Sequence, residues 1–169
     1  KSDTLVKVKK MVAKEPAVQV TLRPLKPKLR ARFKKLCSAS AESKSVTEPM
    51  MTQDAFCQDL FDSGVTKDLT LRPTPAVKGM LLPEVHSNLS WLDAKGAFVT
   101  CQSSDDSDAE KQTISFDEYV VCLALCGNIK YEEVEAMTLP MRVAGIVANY
   151  FGAKDEQAVI TEAVVPKVE

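Results

Sequence analysis

A chain of 169 residues with 45% hydrophobic side chains can bury one compact core with arms to spare, which excludes a globally disordered protein. Its net charge of -1 conceals a division, because residues 1–36 carry twelve Lys/Arg against two acids and the remainder is acidic by eleven charges. Such segregation suggests a basic arm that meets an anionic surface or folds back on its own acidic body, and no apolar run reaches the roughly 18–20 residues of a membrane span.

Residues 1–27 contain Pro16, Pro24 and Pro27, which argues against a continuous helix. Val18, Val20 and Leu22 alternate with Gln19, Thr21 and Arg23, the pattern of a short strand or extended arm. The segment is expected to be a basic arm that becomes ordered on a partner; the alternative is a frayed, solvated terminus. From Lys28 the period changes, with Leu29, Phe33, Leu36 and Cys37 on one side and Lys28, Arg30, Arg32, Lys34 and Lys35 mostly on the other. This spacing predicts an amphipathic helix with a basic outer face, ending in the small polar run of residues 38–43.

A second helix is predicted from Thr52, an N-cap residue, with Asp54 in its first turn and Phe56, Cys57, Leu60 and Phe61 as its apolar stripe. Gly64 stops it. Residues 66–82 hold several Pro and Gly and read as a linker, with at most a turn of helix near 76–81. A third helix is expected after Pro83, carrying Val85, Leu89, Trp91 and Leu92 and running to about Phe98. An acidic loop at 103–110 leads to the most apolar stretch, Ile114 to Cys126, read as a buried fourth helix ended by Gly127. Tyr131 to Met137 can form a short helix, and Thr138 with Pro140 marks the start of another. The apolar face of that helix is Val143, Ile146, Val147, Tyr150 and Phe151, closed by Gly152. A last short helix is expected before Pro166.

Two places line up with a known pattern. An EF-hand has a helix leading into a twelve-residue loop with glycine sixth, an apolar residue eighth and a bidentate glutamate twelfth, followed by an aromatic. Ile114-Ser115-Phe116-Asp117-Glu118-Tyr119 resembles the end of that pattern, with Ile114 in the apolar place, Glu118 in the glutamate place and Tyr119 after it. Met51-Thr52-Gln53-Asp54-Ala55-Phe56 is similar, with Met51 as the apolar residue and Phe56 after the loop. The chain therefore resembles the EF-hand superfamily over about residues 28–127. The resemblance implies a mainly α fold: a degenerate EF-hand pair (28–65 and 83–127, joined by the 66–82 linker), an extended basic arm (1–27) and an appended C-terminal helical hairpin (128–169). It also implies that Met51 and Ile114 pair through their backbones, and that the hairpin fills the groove an open pair would expose.

The calcium chemistry mostly fails. Counting back from Glu118 puts Ser107, Ala109, Lys111 and Gln112 at the first, third, fifth and sixth places; counting back from Ala55 puts Lys44, Val46 and Pro49 at the first, third and sixth. A divalent hard cation needs six to eight oxygens, largely from carboxylates, and the first hand has none to offer at its end. The equivalent loop ends, Ala55 and Glu118, also stand 63 residues apart, nearly twice the spacing of a compact pair. A distorted longer loop drawing on Asp105, Asp106, Asp108, Glu110 and Glu118 is the one candidate for weak Ca2+ binding, and a solvated acidic loop is the simpler reading.

No catalytic constellation is visible. The six glycines form no phosphate loop, and Ser87 beside His86 has no nucleophile elbow or oxyanion device. His86 reads as a surface helix residue. Cys37, Cys57, Cys101, Cys122 and Cys126 are scattered, with no C-x-x-C, so reduced core thiols are expected rather than zinc ligands. The N-terminus lacks a signal-peptide layout, and the expected location is cytoplasmic.

These observations point to a non-catalytic structural or interaction protein with no cofactor. The resemblance extends to EF-hand proteins of cilia and flagella that associate with doublet microtubules. It implies an acidic protein partner such as tubulin or an axonemal neighbour, met by Lys7, Lys9, Lys10, Lys14, Arg23, Lys26, Lys28, Arg30 and Arg32. The alternative is a calcium sensor or buffer working through the second hand. Nucleic acid is not an expected partner, because the basic stretch has one aromatic, Phe33, and stacking platforms need exposed rings.

Overall fold

The computed structural model describes residues 2–39, 49–102 and 113–165. It is mainly helical, with two small two-stranded sheets. The N-terminal segment is not an extended arm. It folds as α1 (Ser2–Lys14), α2 (Pro16–Leu22), a 3-10 turn (Arg23–Leu25) and α3 (Lys26–Ala39). The prolines that argued against helix each lie in the first turn of a new helical segment, where a missing N–H costs nothing. Val18 and Leu22 are buried four residues apart while Val20 points to solvent, so the apparent period of two was a helical period carrying one exposed valine. Val8 and Val12 bury the inner face of α1 against α5 and α6, and α2 lies on α7.

The next elements are β1 (Met51–Thr52), α4 (Gln53–Asp62), β2 (Asp68–Leu71), β3 (Val85–Asn88), α5 (Trp91–Thr100), β4 (Thr113–Ile114) and α6 (Phe116–Lys130). Thr52 caps α4 by accepting the Ala55 N–H at 3.2 Å, worth about 1 kcal/mol, and Gly64 ends it with φ of 75°. Residues 66–82 are not all linker: β2 pairs antiparallel with β3, Asp68 opposite Asn88 and Leu71 opposite Val85. The helix expected from Pro83 therefore starts later. Ser90 and Asp93 form a capping box at 3.0 Å in both directions, which fixes its start at Trp91 and leaves Val85 and His86 in a strand.

A second capping box, Ser115 with Glu118, opens α6. This helix runs past Gly127, because the absent side chain there serves packing rather than termination. A Cβ on Gly127 would come within 2.7 Å of the Arg142 carbonyl and 2.8 Å of Ile146, so glycine lets α6 and α7 (Leu139–Tyr150) approach closely. Residues 131–137 form a series of turns, not the expected short helix. Thr138 caps α7 with Pro140 in its first turn, Gly152 follows it with φ of 75°, and α8 (Glu156–Val164) is capped by Asp155.

The two short strands β1 and β4 join the region before α4 to the region before α6, with Met51 opposite Ile114 in an antiparallel bridge. Beneath the bridge lies one aromatic cluster from four helices. Phe33 of α3 contacts Phe116 and Tyr119 of α6 with ring centroids 5.6 and 5.3 Å apart, and Phe56 of α4 reaches Tyr119 and Phe98 of α5, each at 6.1 Å. Helix α6 runs through the middle of the molecule, against α1, α3, α5 and α7. No helix among the described residues is long and apolar enough to cross a membrane.

Candidate functional site

The nine basic residues expected to bind a partner are divided by the fold. Lys7, Lys10 and Lys14 recur at helical spacing along the outer face of α1, all exposed. The same helix buries Val8 and Val12, so the lysine row is held on an anchored element. Lys9, one step round the helix, is half-buried and donates to the Gln102 carbonyl at 2.7 Å. Arg23 is exposed on the 3-10 turn, and Lys26 is half-buried at the start of α3. Lys28 and Arg30 on α3 are exposed, yet each rests on a ring, Lys28 over Phe151 at 4.9 Å and Arg30 over Phe116 at 4.1 Å, contacts that attract through the ring quadrupole.

Arg32 does not serve the outer surface. Its guanidinium grips Asp59 with two bonds of 3.0 and 2.9 Å, reaches Ser63 at 3.0 Å, and lies over the Tyr150 ring at 5.0 Å. Asp59 also accepts the Tyr150 hydroxyl, which leaves Tyr119 to donate to the Tyr150 oxygen at 2.7 Å. The chain Arg32–Asp59–Tyr150–Tyr119 ties α3, α4, α7 and α6 together. Burial pushes both phenols well above the ordinary tyrosine range, and the neighbouring carboxylate pushes Tyr150 further. The carboxylate bond raises the already high Arg32 value. The guanidinium stays charged and the two phenols stay neutral across the biological range, so they fasten helices.

A second buried pair lies at the far end of α6. The Lys130 ammonium is closed off from solvent, 2.9 Å from Glu156 and bonded to the Val65 carbonyl. Burial lowers its affinity for the proton and Glu156 opposes that. Lys67 approaches the same carboxylate at 3.8 Å. At the surface, His86 on β3 is clasped between Asp68 of β2 and Glu133 of the 131–137 turns. It is therefore a strand residue with two partners, not a lone helix residue, and both carboxylates raise its affinity for the proton.

Of the five residues expected to gather calcium, Asp105, Asp106, Asp108 and Glu110 lie outside the described residues. Glu118 uses one carboxylate oxygen to accept the Ser115 N–H at 2.8 Å. Among the described residues no group of three or more His, Cys, Asp or Glu is arranged to hold a metal ion. The five cysteines are buried, and desolvation pushes Cys37 and Cys57 up to about 11, so little thiolate forms near neutral pH.

The polar networks were missed in sequence, although each left a trace. Lys130 falls in phase with buried Leu123 and Cys126, and Glu156 in phase with Val159 and Ile160. A charge on an apolar stripe asks for a partner. Tyr119 and Tyr150 sit on core faces, where a phenol needs one too. Nothing in the sequence names which partner each would find. No family model matches this sequence, and no curated protein or solved structure shows significant similarity to it.

Proposed function

We propose that this chain is a non-catalytic interaction protein: a degenerate EF-hand pair that works without calcium and grips an acidic protein surface through its basic N-terminal helices. The observation that carries the reading is the exposed row Lys7, Lys10 and Lys14 on a helix anchored by Val8 and Val12. Cations preset on a rigid helix meet an anionic surface at a smaller entropic cost than cations on a loose arm.

The EF-hand part of the reading is supported by two helix–loop–helix units, α3 with α4 and α5 with α6, whose loops meet through Met51 and Ile114. Calcium independence is supported by the use of Glu118 as a helix cap and by Tyr150 reaching between α4 and α6. A groove closed by such bonds lacks the bistable opening of a sensor. The acidic partner we have in mind is tubulin or an axonemal neighbour, within the cytoskeleton of a cilium or flagellum.

Co-sedimentation of the full chain with microtubules over a salt series, with and without calcium, tests this reading. Binding should weaken steeply with salt, ignore chelator, and drop on the triple change Lys7→Glu, Lys10→Glu and Lys14→Glu. Binding that is indifferent to salt, or that needs calcium, would overturn it, and so would no binding at low salt.

A further inference from the structure

Among the described residues, two apolar features of the surface are left uncovered. One is the loop between β2 and β3, where Val77, Met80 and Leu81 are 53%, 46% and 79% exposed. The loop has a fixed shape. Met80 N–H bonds back to the Val77 carbonyl at 3.2 Å, Gly79 turns the chain with φ of 92°, and Arg72 closes the neck through the Leu82 carbonyl at 2.6 Å. Its base is fastened to α8, since Gln157 donates to the Arg72 carbonyl at 2.8 Å and the Thr74 N–H to Thr161 at 3.2 Å.

The other feature is a groove of about 1000 Å³ along α5. Leu92 and Val99 stand on its wall, 77% and 50% exposed, with Gly96 between them leaving a notch in the helix surface. Leu5 and Ile129 supply further apolar lining, and Glu132 places an exposed carboxylate there, while Glu133 already holds His86 and the cation Arg142 is bonded to Asn128 and to two backbone carbonyls. An occupant that fits is a short apolar projection carrying a positive charge. The loop has that chemistry, because exposed Lys78 sits among Val77, Met80 and Leu81.

The loop does not occupy the groove of its own chain: none of its residues lines it, and the loop base is tied to α8. We infer that the β2–β3 loop of one copy docks in the α5 groove of a second copy, with Lys78 against Glu132. The donated and the receiving surfaces differ, so two copies can exchange loops reciprocally as a closed dimer or add head-to-tail as a row. The groove borders α1 through Thr4 and Leu5 but is lined by none of its lysines, and the inference does not rest on the function proposed above.

Sedimentation velocity of the full chain over a concentration series tests the inference. The weight-average sedimentation coefficient should climb above that of a monomer as concentration rises, stopping at a dimer if the loops are exchanged reciprocally and passing it if the copies form a row. The double changes Met80→Asp with Leu81→Asp, and Leu92→Asp with Val99→Asp, alter exposed residues and should each weaken association about tenfold or more, with circular dichroism reporting intact helices. Mixing the loop-defective and groove-defective chains is the sharper measurement. Each retains one good half, so the mixture should form a dimer and stop there. A wild-type chain that stays monomeric overturns the inference and leaves the groove to a different protein. Association that survives either double change, or a mixture that grows beyond a dimer, overturns it as well.

Discussion

The Arg32–Asp59–Tyr150–Tyr119 chain at the centre of the molecule and the Asp68–His86–Glu133 clasp at its edge join elements that are distant in sequence. Tyr150 meets Asp59 across 91 residues and His86 meets Glu133 across 47. They differ in medium. Asp59 is 11% exposed, whereas Asp68 and Glu133 are 69% and 62% exposed. In the interior a missing partner leaves a polar group stranded, while at the surface water replaces it. Similar bonding patterns therefore hold the fold together in one place and only bias it in the other.

The largest effect is expected from the most enclosed pair. Glu156→Ala strands the Lys130 ammonium and should cost about 3–5 kcal/mol in urea unfolding. The sign of its pH dependence follows from the lowered Lys130 proton affinity. The unfolded lysine keeps its proton up to about pH 10.4 while the folded one releases it earlier, so the variant should recover stability as pH rises through that window. Asp59→Ala comes next, at about 3 kcal/mol, because it frees both the Arg32 fork and the Tyr150 hydroxyl. Tyr150→Phe keeps the ring packing and loses only the hydroxyl bonds, at about 1–2 kcal/mol by the same melts.

The smallest effect belongs to the edge, and it carries a pH signature. The folded His86 proton affinity is raised, so the clasp adds its stability below the ordinary histidine value of 6.5 and loses it as pH rises through the folded value. The melting-temperature difference between the wild type and His86→Asn should shrink to nothing on the alkaline side. His86 is the chain's single histidine, so one proton resonance followed by NMR reports the folded value directly. A difference that persists at high pH would mean that His86 acts through packing rather than charge.

The same contrast between centre and edge governs what could be read in advance. Phe33 and Phe56 were legible as core because each falls on an apolar stripe of helical period. The caps at Thr52 and Thr138 were legible because capping is local chemistry. The strand at Val85–Asn88 was not, since two four-residue strands depend on each other across a long loop, and Val85 and Leu89 also satisfy a helical spacing. The N-terminal helices were hidden for a related reason. Three prolines look like breaks until each falls in a first turn, and the burial that stabilises those turns comes from α5, α6 and α7, far along the chain. Among the basic residues, charge was readable but direction was not: Arg32 and Lys7 look alike in sequence, and only tertiary packing sends one to Asp59 and the other to solvent.

That packing of α1 onto α5 and α6 has a consequence for how the chain is made. Synthesis delivers α1 long before the helices that cover Val8 and Val12. A helix of 13 residues is marginal alone in water, so the segment must wait, uncovered, until α6 has emerged and folded. The helix appears before the elements that cover it and settles after them, and its lysines keep it dissolved in the interval.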